Sequence, residues 1–135
     1  MTPLYLLDTD ICIYIAKRRP PQARARLAQL EPGRATISSI TFGELRYGLS
    51  RSTLPSESIK QVEKLIEDLP VADVNRSVAL VYADIRGALA RLGLPICADD
   101  LWMAAHAISL DAILVTNNER EFRRVPGLKI ENWAA

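Results

Sequence analysis

An α/β fold with a mostly parallel central sheet, covered by helices on both faces, is the class this sequence predicts. Three observations lead there. Short apolar runs recur along the chain, at Tyr5-Leu6-Leu7, Ala35-Thr36-Ile37-Ser38, Val71-Ala72-Asp73-Val74 and Ala112-Ile113-Leu114-Val115-Thr116. Segments with helical periodicity separate them. Nearly all the runs are too apolar for a sheet with one wet face, so helices must cover both sides.

The elements follow in order. Tyr5-Leu6-Leu7 is a buried strand ending at Asp8, and Ile11, Ile15 and Ala16 repeat at helical spacing up to Lys17. Pro20-Pro21 opens a second helix with Ala23, Leu27 and Leu30 on one face, and Pro32-Gly33 closes it. After the strand 35–38, Ser39 or Thr41 can cap a helix carrying Phe42, Leu45 and Leu49. Ile59, Val62, Leu65, Ile66 and Leu69 form the next amphipathic helix, stopped by Pro70. Val78, Val81, Tyr82, Ile85, Leu89 and Leu92 stripe the longest helix, as core or a dimer face, and Gly93 and Pro95 end it. Leu101, Ala104, Ala105 and Ile108 mark another helix before the strand 112–116. A last strand is expected around Leu128–Glu131.

A chain of 135 residues, 49% hydrophobic and 24% charged, suits one compact domain spanning residues 1–135. Met1 to Leu7 lacks a basic leader and Asp8 cuts the apolar run short, so no export signal is read. No stretch approaches the roughly 20 apolar residues of a spanning helix, and a cytoplasmic location is expected. Cys12 and Cys97 each adjoin isoleucine and are read as buried thiols in a reducing compartment. One histidine leaves no zinc spacing. The net charge of +1 does not demand a polyanionic partner. Basic groups do gather at Lys17-Arg18-Arg19 with Arg24 and Arg26, at Arg46 and Arg51, and at Arg120, Arg123 and Arg124; such groups can contact phosphates, but for any one of them a solvated face is the stronger reading.

Three acids are marked by where they fall. Asp8 follows the first strand, Glu44 lies in the first turns of the helix after the second, and Asp100 begins the Leu101–Leu110 helix. Residues just beyond the carboxyl ends of parallel strands line one crevice. Carboxylates gathered there repel and tend to protonate, and a divalent cation removes the conflict. Position alone leaves a duller alternative open: Asp8, Asp10, Asp99 and Asp100 can serve as helix N-caps, and Thr41-Phe42-Gly43-Glu44 fits a capping box. His106, six residues past Asp100, is read as a packed or surface histidine, and Trp102 and Trp133 as packing groups.

Four blocks then occur in register: Tyr5-Leu6-Leu7-Asp8-Thr9-Asp10-Ile11, Ile40-Thr41-Phe42-Gly43-Glu44-Leu45-Arg46-Tyr47-Gly48, Asp100-Leu101-Trp102-Met103-Ala104-Ala105-His106-Ala107 and Leu114-Val115-Thr116-Asn117-Asn118-Glu119-Arg120-Glu121-Phe122. With the tail Val125-Pro126-Gly127-Leu128, they make the chain resemble PIN domains, and among them the VapC toxins of bacterial toxin–antitoxin pairs. The resemblance implies an α/β/α sandwich and Mg²⁺- or Mn²⁺-dependent endoribonuclease activity. It matches Asp8, Glu44 and Asp100 to the family's first three metal-binding acids and ranks Asp99 second. Asn118 and Glu121 stand where the fourth ligand is expected, and Thr116 matches a threonine lining that pocket. Asp10 replaces a common asparagine.

The resemblance further implies a VapB-type antitoxin, homodimers, and tRNA cut in its anticodon loop, with initiator tRNA the leading substrate. Water activated at the metal attacks the phosphate to leave 5′-phosphate and 3′-hydroxyl ends. Asp8 and Asp100 ligate, Glu44 ligates or orients the water, and Arg46 or the Arg120–Arg124 cluster contacts flanking phosphates. Two rivals stand beside this. Asp8-Thr9-Asp10 resembles the Asp-x-Asp of haloacid-dehalogenase-type phosphatases, although Ile11-Cys12 replaces the usual Gly-Thr. A non-catalytic binding module would use the same acids only as caps.

Overall fold

The structure, a computed structural model, describes residues 3–135; Met1 and Thr2 of the N-terminal reading lie outside the described residues. Strands β1 (Tyr5–Leu7), β2 (Ala35–Ser38), β3 (Val71–Ala72), β4 (Ile113–Val115) and β5 (Ile130–Glu131) form one sheet. Their order is β3-β2-β1-β4-β5, and every neighbouring pair is parallel. The helices are α1 (Thr9–Lys17), α2 (Pro21–Ala28), α3 (Ser39–Ser50), α4 (Ser56–Asp68), α5 (Arg76–Leu92), α6 (Ala98–Ser109) and α7 (Glu119–Phe122).

Side-chain alternation along β1 explains why its sequence reads as a continuous apolar run. Tyr5 and Leu7 enter a core with Ile37, Val115, Ile11, Ile15, Val62 and Ile66, on the face carrying α1 and α4. Leu6 faces the other way, packing with Leu114, Ile85, Leu89, Leu101 and Ala105 in the core under α5 and α6. Successive strand residues point to opposite faces, and here both faces are dry. Burying a side chain such as Leu6 contributes about 2 kcal/mol. Both edge strands, β3 and β5, are two residues long and less buried, and Val71 of β3 is exposed. The expected strand 71–74 stops at Ala72, and Asn75 caps α5 by accepting the Val78 N–H at 3.2 Å. Gly93 ends α5 in the left-handed region at φ 69°, as its position predicted.

Other expectations change in detail. The N-cap of α3 is Ser38, not Ser39 or Thr41, with its hydroxyl accepting the Ile40 N–H at 3.1 Å. Thr41 is buried inside the first turn, so the Thr41–Glu44 capping box does not form. Helix α6 begins at Ala98, which puts Asp99 and Asp100 within its first turn. Cys97 is exposed, correcting the expectation of two buried thiols; only Cys12 is buried. Trp133 is core, and Trp102 stacks on Tyr82 with ring centroids 3.9 Å apart. Among the described residues, no helix is long and apolar enough to cross a membrane.

His106 is fully buried in α6 and neither ring nitrogen has a hydrogen-bond partner. Burial lowers its pKa from the usual 6.5, partly offset by the negative charge of Asp73. The unfolded chain therefore takes up more protons than the folded one as pH falls through 6.5. Stability linked to the neutral ring is complete above that value and declines below it. Thermal melts between pH 7.5 and 5.5 should accordingly show a smaller acid-induced drop for His106→Leu than for the parent. Equal drops would assign the acid sensitivity to other groups.

Candidate metal centre at the carboxyl edge of the sheet

Strand order reverses between β1 and β4: the chain adds β2 and β3 on one side of β1, then crosses to add β4 and β5 on the other. Ligands of open parallel sheets bind at such switch points, outside the carboxyl ends of the strands. Asp8 leaves β1 there, its N–H donating to the Val115 carbonyl at 3.0 Å. Its Oδ1 also accepts the Ile11 N–H at 3.0 Å, capping α1. Cap and candidate ligand are thus the same residue, since one carboxylate has lone pairs for both.

Four expected acids meet here. A cavity of about 290 Å³ is lined by Asp8, Asp10, Glu44, Asp99 and Asp100 together with Thr9, Cys97, Met103 and Phe122. Glu44 lies in the second turn of α3, with Oε1 accepting the Thr9 hydroxyl at 2.7 Å. Asp100 Oδ2 accepts from Asn118 Nδ2 at 3.3 Å. Asp100 and Cys97 also border an adjoining hollow of about 580 Å³, which Asn118 and Glu121 line. Thr116, expected in the pocket wall, is fully buried below it, and its hydroxyl accepts the Asn118 N–H at 3.0 Å. Arg46 and Arg120 are exposed and border neither cavity; the Arg46 guanidinium sits 5.6 Å from the Phe42 ring centre. A further groove of about 480 Å³, between α2 and α4, lies at the far end of α1 around Ala16 and Leu27 and holds none of these acids.

The electrostatics are those of crowded, partly dry carboxylates. Burial pushes Asp8 up to about 6, and the charges of Asp10 and Asp100 add to the effect. The Thr116 hydroxyl and the Ile11 N–H favour the ionised form and oppose it. Asp100 is likewise raised by burial and by the charges of Glu121, Asp99 and Asp10, with the Cys97 thiol opposing. Among the described residues, no ion pair reaches Asp8, Asp10, Glu44, Asp99 or Asp100. Glu121, by contrast, has the Arg124 guanidinium at 4.0 Å.

These donors fit a hard cation. The acids line an open wall rather than a closed cage, and among the described residues no three Asp, Glu, His or Cys side chains form a ready ion-holding cluster. Mg²⁺ tolerates this, because it keeps several waters and uses one or two carboxylates plus substrate phosphates. A closed tetrahedral zinc site is a different arrangement.

Residues 5–128 match the PIN domain family. The chain belongs to that family. Within this PIN family it is similar to the tRNA(fMet)-specific endonuclease VapC of Salmonella typhimurium, with 42% identity over 129 residues, covering 96% of this chain and 97% of that protein. Ribonuclease VapC1 of Haemophilus influenzae strain R2866 is 40% identical over 131 residues, covering 96% and 98%. The fold matches the crystal structure of DNA bound VapBC from Salmonella typhimurium with a TM-score of 0.86 and 41% identity, over 97% of this chain and 98% of that one. The VapC-like PIN assignment displaces the phosphatase reading, and the geometry agrees. Asp10 is locked inside the first turn of α1 instead of standing free in a loop after the strand.

Thr9, Cys97, Met103 and Phe122 line the cavity without having been singled out from sequence. Thr9 had a usable signal, a hydroxyl directly after the first acid.

Proposed function

We propose that this PIN domain, spanning residues 1–135, is a Mg²⁺- or Mn²⁺-dependent endoribonuclease and the toxin of a type II toxin–antitoxin pair. The observation that carries the reading is the gathering of Asp8, Glu44, Asp99 and Asp100 around one cavity, with no side-chain cation beside them among the described residues. Similarity to a tRNA(fMet)-specific endonuclease over nearly the full length supports tRNA as substrate, initiator tRNA first; a cut in the anticodon loop rests on the family resemblance alone. Similarity to VapBC structures supports a VapB-type antitoxin and a hetero-oligomer with it; the toxin homodimer rests on the family resemblance alone. The cytoplasm, where tRNA works, is the location we assign.

A bound divalent ion supplies charge neutralisation at the phosphodiester and an acidified water. Asp8 and Asp100 would hold it, each already partly dehydrated by the fold. Glu44 would either complete the ligand set or orient the attacking water. Asp99 is a further acid of the same wall, Asn118 steadies Asp100, and Thr116 orients Asp8 from below. Glu121 is a weaker fourth ligand, because Arg124 shares its charge. Hydrolysis leaves 5′-phosphate and 3′-hydroxyl ends.

Arg46 on α3 and Arg120 on α7 are exposed on the elements that carry Glu44 and Glu121, and are assigned to backbone phosphates. Arg46→Ala and Arg120→Ala should each raise KM with kcat little changed, and each should reduce the salt dependence of binding by about one charge. A loss confined to kcat would remove that assignment.

The test is incubation of antitoxin-free protein with total cellular RNA, followed by sequencing of the new ends. One discrete cut in a tRNA, carrying 5′-phosphate and absent with Asp8→Asn, is the expected outcome. Cleavage surviving in Asp8→Asn would exclude this cavity as the active centre.

A further inference from the structure

The geometry points to Thr9 as the positioning residue for Glu44: its hydroxyl holds one carboxylate oxygen and leaves the other free for the cation. This inference rests on the metal-dependent reading above. Each of the three principal acids has a neutral side-chain partner, Thr116 for Asp8, Asn118 and the Cys97 thiol for Asp100, and Thr9 for Glu44. A neutral donor orients a carboxylate without competing with a metal, as a Lys or Arg would. Outer-sphere groups of this kind fix ligand direction.

Glu44 has particular need of one. It is exposed on α3, where a glutamate side chain samples several rotamers. Asp8, by comparison, is fixed by its own cap bond to Ile11. Thr9 is free for the task because Asp8 already caps α1, so its hydroxyl is not needed at the helix start. The bond instead spans 35 residues of sequence, joining the first turn of α1 to α3 at 2.7 Å. Threonine is β-branched and stiff at χ1, so the donor arrives with little rotamer freedom left to lose.

The experiment titrates Mn²⁺ alone into wild type, Thr9→Val, Thr9→Ser, Glu44→Gln and the Thr9→Val/Glu44→Gln double variant, following heat of binding, with thermal melts as the folding control. Thr9→Val should bind Mn²⁺ roughly tenfold more weakly, and Thr9→Ser close to wild type. In the Glu44→Gln background, Thr9→Val should add little, because the two residues act through one bond. Wild-type affinity in a folded Thr9→Val overturns the inference. So does an equal loss in both backgrounds, which would place the effect in α1 and not in Glu44. Absence of Mn²⁺ binding to wild type is a separate result: it brings down the metal-dependent reading and the inference with it.

Discussion

Replacing Asp8 with Asn is expected to inactivate the protein and stabilise its metal-free form at the same time. Asn caps helices as well as Asp does, so the bond to the Ile11 N–H survives. The change removes a charge that burial and neighbouring acids disfavour. Asp8 titrates near 6 in the fold against 3.8 ordinarily. A raised acid pKa means that the folded state holds the proton more tightly between those values. Stability therefore falls as pH rises from about 4 to about 6, and the penalty is complete above that. The gain from Asp8→Asn should be on the order of 2 kcal/mol at pH 7 and fade towards pH 4. Cleavage should drop by roughly a thousandfold or more, beyond the 10- to 100-fold typical of losing an outer-sphere partner. Denaturant melts at pH 7 and 4, paired with an RNA cleavage assay, check both halves. A destabilised variant would show that the carboxylate serves the fold; a stable variant that still cleaves would place the active centre outside this cavity.

Divalent metal should produce the second large effect. The same crowding that raises Asp8 and Asp100 makes the metal-free protein a poor home for its own charges. A ligand present at about 100 times its Kd stabilises the native state by about 2.7 kcal/mol. Mg²⁺ or Mn²⁺ should therefore raise the melting temperature of wild type at pH 7 by several degrees. The rise should shrink at pH 5, where the proton on Asp8 competes with the ion, and vanish in Asp100→Asn. Calorimetric scans with and without metal measure this. An equal rise in wild type and Asp100→Asn would place the ion elsewhere.

Both effects come from residues that the sequence already marked, and the reason is topological. Asp8 and Asp100 border apolar elements whose direction is readable from pattern, and parallel strands deliver such positions to one edge. Glu44 was ambiguous because Thr41-x-x-Glu44 imitates a capping box. The ambiguity ends only when Ser38 takes the cap, one turn earlier than the box requires. Helix α7 has four residues, too few to show a period, so the wall carrying Glu121 had no visible element. Cys97 looked buried beside Ile96, yet a residue at a helix start faces the solvent edge of the sheet. For Thr9 the sequence shows a hydroxyl directly after the first acid but not its partner, which lies 35 residues away.

The central claim is that the acids at this edge cleave RNA through a divalent ion. Its most direct test is cleavage of initiator tRNA by antitoxin-free protein in Mg²⁺, then in EDTA, then in EDTA with excess Mg²⁺ restored. A discrete cut that disappears under chelation and returns with the metal is the predicted result. Cleavage undiminished in EDTA would contradict the account.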